Sequence, residues 1–249
     1  MKKLKIMLAS ILGLTMTAAV TTASAEETDK PVLSGSTIIC GGKTVKLDPD
    51  GRIEVSNANG ILLWTNPFFC YMNDQKAVDW NSFTKSECKV KTENGKVVWS
   101  LKKKLGDKIY DAGTQTLEIT SEGLLKVQYK LQVISIPGWQ PRTKYGNIFI
   151  NTPYAQSEGK DVVFNGKRCK MTVSEKQIFV NWRDKQFKYV FYPDNADNTL
   201  TVNAVQPEIG RVTGCSPDKW TKSFRTTLAT VEDNSCTFTL DIRKGASGK

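Results

Sequence analysis

Residues 45–68 read VKLDPDGRIEVSNANGILLWTNPF, and this stretch decides the fold class. Residues 44–47 alternate apolar and polar, then meet Asp48-Pro49-Asp50-Gly51. Proline presets φ and glycine supplies a positive φ, so this tetrapeptide turns the chain. Residues 52–56 alternate again and meet Asn57-Ala58-Asn59-Gly60, and the apolar run 61–64 follows.

The same rhythm continues outward. Residues 88–91 lead into Asn94-Gly95, and 97–101 return. Asn-Gly is the strongest two-residue hairpin signal, because both central positions need positive φ. Residues 116–120 meet Ser121-Glu122-Gly123, and 124–133 alternate for a full strand. Residues 161–164 meet Asn165-Gly166, and 168–173 return. Residues 178–182 and 187–192 read as a further pair, with 199–205 and 237–242 last. Period-two alternation buries one face of a strand and wets the other, which antiparallel sheets tolerate and parallel ones seldom do. No helical stripe of three turns interrupts it. The sequence therefore predicts an all-β protein: a large antiparallel β-sandwich with at most one or two short helices. Those helices are expected at 74–83 and from Ser216-Pro217-Asp218, where serine can cap and proline suits the first turn. Ile136-Pro137-Gly138 reads as a loop inside one domain spanning 26–249, with 243–249 a flexible tail.

Residues 1–25, MKKLKIMLASILGLTMTAAVTTASA, have another character. Lys2, Lys3 and Lys5 precede an apolar run over 6–20, and Ala23-Ser24-Ala25 offers the small residues of a cleavage site. This is the pattern of a bacterial secretory signal peptide cut after Ala25, and it predicts a secreted or periplasmic protein. The run is short of the ~20 residues a spanning helix needs, and no later segment is apolar enough to serve as one.

The chain has 35 Lys and Arg against 25 Asp and Glu, an excess of +10 that loss of the leader lowers by three. Small basic clusters fall at 102–104, 167–170 and 183–188. Outside the cell such charge suits an acidic polysaccharide or lipid head groups rather than nucleic acid, or it marks a solvated strand face. Six cysteines lie beyond the leader: Cys40, Cys70, Cys88, Cys169, Cys215 and Cys236. An even count in an exported chain predicts disulfides, with Cys70–Cys88 and Cys215–Cys236 the favoured local pairs. The alternative is that some are buried thiols packing as small hydrophobes. There is no histidine. Ser-His-Asp, Cys-His and every histidine-bearing metal site are thereby excluded. No motif for a metal or cofactor is present.

Two segments could carry binding chemistry. WTNPFFCYMNDQKAVDWNSF at 64–83 interleaves aromatics with Asp74, Asp79, Asn81 and Trp80. A flat ring covers the C–H face of a sugar while planar amides and carboxylates take its hydroxyls. The competing reading places Trp64, Phe68 and Phe69 in the core. PGWQPRTKYGN at 137–147 carries Trp139, Arg142, Lys144 and Tyr145 on a turn-rich loop, a set able to hold a carboxylated sugar. Carboxylate pairs such as Asp74 with Asp79, or Glu158 with Asp161, would be needed for a glycosidase, as would Glu208 if it served. Asp194-Asn195-Ala196-Asp197-Asn198 has the composition of a calcium loop but lacks its alternating ligands and distal glutamate, so a turn is expected.

Segment 45–68 together with TLEITSEGLLKVQYKLQV at 116–133 resembles the strand-turn rhythm of galactose-mutarotase-like β-supersandwich domains, over about Thr37 to Val205. That resemblance implies an exported β-sandwich associated with glycans. Mutarotases use histidine beside a catalytic glutamate, and this chain has none, so no catalytic residue carries over. The expected function is a non-catalytic glycan-binding or accessory protein, its partner a carbohydrate such as an acidic polysaccharide. The alternatives are a polysaccharide hydrolase or lyase using Asp/Glu or Tyr/Lys/Arg, and a structural or adhesive envelope protein.

Overall fold

The computed structural model describes residues 29–68, 71–73, 78–79, 83–134, 137–141, 146–176, 178, 186–205, 211–212, 214–231 and 233–245. In chain order the strands are β1 (Val32–Ser34), β2 (Thr37–Cys40), β3 (Lys43–Leu47), β4 (Ile53–Asn57), β5 (Gly60–Phe68), β6 (Tyr71–Asn73) and β7 (Val78–Asp79). Then come β8 (Lys89–Glu93), β9 (Lys96–Leu105), β10 (Lys108–Ile119), β11 (Leu125–Leu131), β12 (Trp139–Pro141) and β13 (Asn147–Pro153). A four-residue helix α1 (Tyr154–Ser157) leads to β14 (Asp161–Phe164), β15 (Lys167–Lys170), β16 (Gln186–Phe191) and β17 (Leu200–Val205). The last are β18 (Arg211–Val212), β19 (Ser216–Asp218), β20 (Ser223–Ala229) and β21 (Ser235–Asp241).

Two large antiparallel sheets pack together as the alternation predicts. One runs β1-β2-β3-β4-β5-β13-β20-β18, with β19 also on β20; the other runs β15-β14-β16-β17-β21-β11-β10-β9-β8. The turn signals work as read. Asn94 (φ 49°) and Gly95 (φ 74°) close β8 onto β9, and Asn165 (φ 45°) and Gly166 (φ 82°) close β14 onto β15. Inward residues of both sheets, including Trp99, Tyr129, Tyr189, Phe191, Phe224 and Phe238, form one apolar cluster. Full burial of one such side chain contributes about 1.5–3 kcal/mol.

Several polar side chains that enter this layer find a partner there, although the buried Gln115 amide finds none among the described residues. Trp99 Nε1 donates to Asp48 O at 2.8 Å, and Tyr192 Oη donates to Leu62 O at 3.0 Å. Lys43 Nζ, wholly buried, donates to Ile242 O at 3.0 Å, and burial pushes its pKa down.

The two helix expectations are corrected. Ser216-Pro217-Asp218 is strand β19, opposite Arg225, Phe224 and Ser223 of β20. Proline is tolerated on such a peripheral strand, and Asp218 spends its carboxylate on the following turn rather than on a helix start. Within 74–83 the described part includes β7, a strand; residues 74–77 and 80–82 lie outside the described residues. The one helix among the described residues, α1, begins directly after Pro153. The expected strand 178–182 falls almost wholly outside the described residues, and β16 pairs instead with β14 and β17.

The disulfide expectation is also corrected. No disulfide joins any two described cysteines, and Cys40, Cys88, Cys169 and Cys215 are thiols. Cys70 lies outside the described residues, but Cys88 is engaged otherwise: its Sγ accepts from Lys102 N at 3.1 Å and donates to Lys102 O at 3.5 Å. Cys215 Sγ accepts from the Tyr189 hydroxyl at 3.3 Å. Tyr189, Val202 and Leu240 share one row across three strands, whereas Cys236 lies four residues, about 13 Å, further along β21. Burial raises the Cys215 thiol to about 11 and pushes Cys40 and Cys88 up as well, which suppresses the reactive thiolate.

β10 carries a bulge. Asp111 opposes Lys102 and Gly113 opposes Leu101, so Ala112 is the extra residue. Gly113 has φ 116°, and a Cβ there would lie 2.2 Å from Lys130 O. Gly113→Ala is therefore expected to lower unfolding free energy by about 2–4 kcal/mol in urea titration, and a loss under ~0.5 kcal/mol would contradict the bulge assignment. Thiol titration of denatured, unreduced protein is expected to count at least the four thiols named above. A lower count would mean that one of them is oxidised.

Candidate functional site

The residues chosen from sequence come together in part. β12 pairs with β6 and β6 with β7, so the 64–83 segment and the 137–147 loop share a three-stranded sheet. Trp139 stands opposite Asn73, and Asp79 opposite Tyr71. Asp74, Trp80, Asn81, Arg142, Lys144 and Tyr145 lie outside the described residues, as does Glu208. Trp64, Phe68 and Phe83 belong to the buried set. The Arg52 guanidinium covers the Trp64 ring at 5.2 Å, and Phe68 packs on Phe149 at 3.9 Å. The core reading holds for Trp64 and Phe68, Phe83 is buried as well, and Phe69 lies outside the described residues.

A polar cleft lies elsewhere. β5 runs from Gly60 to Phe68, about 26 Å, with the small sheet following Phe68 and the cleft beginning at Gly60. The cleft holds about 440 Å³ and is lined by Asn59, Gln156, Lys160, Asp161, Tyr192, Pro193, Asp194, Asn195 and Asn198. That volume is within the range of small-molecule sites, though its wall is far more polar than most.

Four pieces of chain build it. The β4–β5 turn is shaped by Asn57, whose Oδ1 accepts from Asn59 N at 2.8 Å. α1 contributes Gln156, whose Nε2 donates to Asn59 O at 2.8 Å. Gly60 (φ 125°) gives Gln156 its space, because a Cβ there would come within 3.0 Å of Nε2. Lys160 and Asp161 open β14. The fourth piece is the 192–199 loop between β16 and β17, and Asn57 Nδ2 ties it to the first sheet by donating to Asn198 Oδ1 at 2.7 Å.

The loop itself is a compact turn, as its composition predicts. Asn195 Oδ1 accepts from Asp197 N and Asn198 N, each at 3.1 Å, and Thr199 Oγ1 donates to Tyr192 O at 2.9 Å. Its acids have cationic partners: Asp197 meets Lys244 at 2.9 Å and Asp194 meets Arg168 at 2.6 Å. Among the described residues no cluster of metal-ligating side chains forms.

Tyr192 is the buried base of the loop. It holds φ 52°, unusual for a residue with a bulky side chain. Its hydroxyl donates to Leu62 O and lies 3.2 Å from Ser157 Oγ, which donates to Pro153 O at 2.6 Å. Burial pushes the phenol up to about 12, so it is a neutral hydrogen-bonding group at physiological pH.

Asp161 and Asp194 test the hydrolase reading. Arg168 Nη1 donates to Asp161 Oδ2 at 2.9 Å and to Asp194 Oδ2 at 2.6 Å, which brings the two oxygens within about 5.5 Å, a retaining-glycosidase separation. The chemistry is wrong for that role. Hydrogen bonds from Arg168 and then Lys170 hold Asp161 below the usual carboxylate range. A general acid needs the opposite shift. Glu158, the other half of the expected pair, accepts from Val173 N at 3.0 Å.

Members of the first two basic clusters are ion-paired, while residues 183–185 of the third lie outside the described residues. Lys102 meets Asp111, Lys104 meets Glu87, and Arg168 and Lys170 share Asp161. This is the solvated-face arrangement. The amides of the cleft could have been suspected from the density of Asn in 57–60 and 194–198, although the sequence signal for both is a turn. No protein-family model matches the chain, and no curated protein matches it.

Proposed function

We propose that this is an exported, non-catalytic glycan-binding protein whose site is the cleft between the β4–β5 turn, α1 and the 192–199 loop. The observation that carries this reading is the wall of that cleft. Several of its hydrogen-bonding groups have no protein partner among the described residues: the Asn59 side chain, Gln156 Oε1, Asn195 Nδ2, Asn198 Nδ2 and Lys160 Nζ. Gln156, Asn195 and Asn198 each use the other atom of the same side-chain amide to hold the framework, so their open groups are oriented before any ligand arrives. Preorganised amides beside carboxylates match a polyhydroxylated molecule, which supplies both donors and acceptors.

Export rests on the leader at 1–25. The non-catalytic assignment rests on the missing histidine, the neutral Tyr192 and the cation shared by Asp161 and Asp194. Asn59→Ala combined with Lys160→Gln removes open groups without touching a side-chain contact that holds the fold. In affinity electrophoresis or calorimetry against glycans bound by the parent protein, this double variant is expected to lose about 1–3 kcal/mol of binding at unchanged melting temperature. Undiminished binding would remove the cleft from consideration. Release of reducing ends or of ultraviolet-absorbing unsaturated products by the parent protein would replace the binding reading with a hydrolase or a lyase.

A further inference from the structure

Trp220 is 93% exposed, the most exposed large apolar side chain among the described residues. It sits at the tip of the β19–β20 hairpin in the turn Lys219-Trp220-Thr221-Lys222. Single exposed apolar residues are common and need no special role. This one is held on a fixed mount. Asp218 Oδ1 accepts from Trp220 N at 2.9 Å, and Asp218 Oδ2 accepts from Thr221 Oγ1 at 2.9 Å. Arg225 closes on Asp218, donates from Nε to Asn151 Oδ1 at 3.2 Å and lies over the Phe149 ring at 4.0 Å. The backbone of the turn is tied to the helix beside the cleft: Tyr154 N donates to Lys222 O at 2.9 Å.

Trp220 and the cleft therefore share one end of the sandwich. They flank α1, with Trp220 two residues from Lys222 on one side and Gln156 two residues from Tyr154 on the other. Chain reach limits their Cα separation to about 20 Å. The charges of this end divide into two kinds. Arg168, Lys170, Arg225 and Lys244 each have a carboxylate partner. Lys160, Lys219 and Lys222 make no ion pair with any described residue. A flat ring amid unpaired cations, beside a wall of open amides, is complementary to a chain of sugar rings bearing carboxylates or sulfates. A bilayer-inserting tip would need an apolar face around the ring, and the neighbours of Trp220 in the turn are Lys219, Thr221 and Lys222.

We propose that Trp220, with Lys219 and Lys222, is an aromatic-cationic platform that extends the cleft across α1 and makes the ligand an extended acidic polysaccharide. The assignment rests on the reading of the cleft as a sugar site. Trp220→Ala should fold normally, because the ring covers nothing, and unchanged melting temperature checks this. The probes are affinity-electrophoresis gels containing polygalacturonate, alginate, hyaluronate or heparin, beside carboxyl-reduced polygalacturonate as the neutral control.

The parent protein should be retarded by at least one acidic polymer and less by the neutral one. Trp220→Ala should weaken that binding about tenfold. Lys219→Gln with Lys222→Gln should weaken it and flatten its salt dependence. Equal retardation of Trp220→Ala and parent, or no retardation by any acidic polymer, overturns the proposal. If the Asn59→Ala/Lys160→Gln variant binds as the parent does while Trp220→Ala does not, the cleft reading fails and the platform stands. If Trp220 instead governs sedimentation with vesicles of phosphatidylglycerol and phosphatidylcholine, and no polysaccharide binds, the platform is a lipid contact and the proposal is wrong.

Discussion

Two antiparallel sheets closing over one apolar layer make an unpaired polar group between them costly, and Trp99, Lys43 and Tyr192 answer that constraint while the buried Gln115 amide bears the cost. Trp99 crosses the layer to the carbonyl of Asp48 and Tyr192 to that of Leu62, whereas Tyr129 meets the Thr65 hydroxyl and Tyr189 the Cys215 thiol. The Tyr192 crossing has the larger consequence. Its hydroxyl is fixed under α1 and the start of β5, its main chain is held at positive φ, and its carbonyl accepts from Thr199. One residue thereby joins the two sheets and sets the base of the loop that walls the cleft.

The strand rhythm was legible because it depends on local chemistry. Alternation over 44–47, 116–131 and 235–241 needs only a wet face and a dry one, and Asn94-Gly95 or Asn165-Gly166 can do little except turn. Where local chemistry is ambiguous, tertiary context decides. Ser-Pro-Asp at 216–218 has the residues of a helix start, yet β20 offers a strand to pair with, and Asp218 finds a better partner in Arg225. The bulge at Ala112 left no mark that a reader could separate from an ordinary glycine in a strand. The cysteines follow the same logic. Even number and export favour disulfides on average, but the tertiary structure gives Cys215 the Tyr189 hydroxyl and Cys88 the Lys102 backbone as partners.

The cleft was not legible as a site. Its residues come from positions 59, 156–161 and 192–198, brought together by pairings across two sheets. Each group, taken alone, is a turn, and the Asn195 and Asn57 side chains do serve as turn caps. A side chain can close a turn with one atom and offer another to a ligand, and sequence shows only the first use. Trp220 was overlooked for the opposite reason: a lone aromatic between lysines has no period, so nothing in the pattern sets it apart from the core tryptophans. The aromatic segment that did attract notice is core at Trp64, Phe68 and Phe83.

The proposed binding face is an end surface of amides, bridged carboxylates, one exposed ring and lysines that make no ion pair among the described residues. The most direct test is hydrogen–deuterium exchange read by mass spectrometry, with and without an acidic polysaccharide that binds. Bound polymer is predicted to slow exchange in peptides covering 57–60, 154–161, 192–199 and 218–223, leaving the β8–β9–β10 edge unchanged. Protection confined to the small β6–β7–β12 sheet at the other end, or spread evenly over the basic strands, would contradict the account.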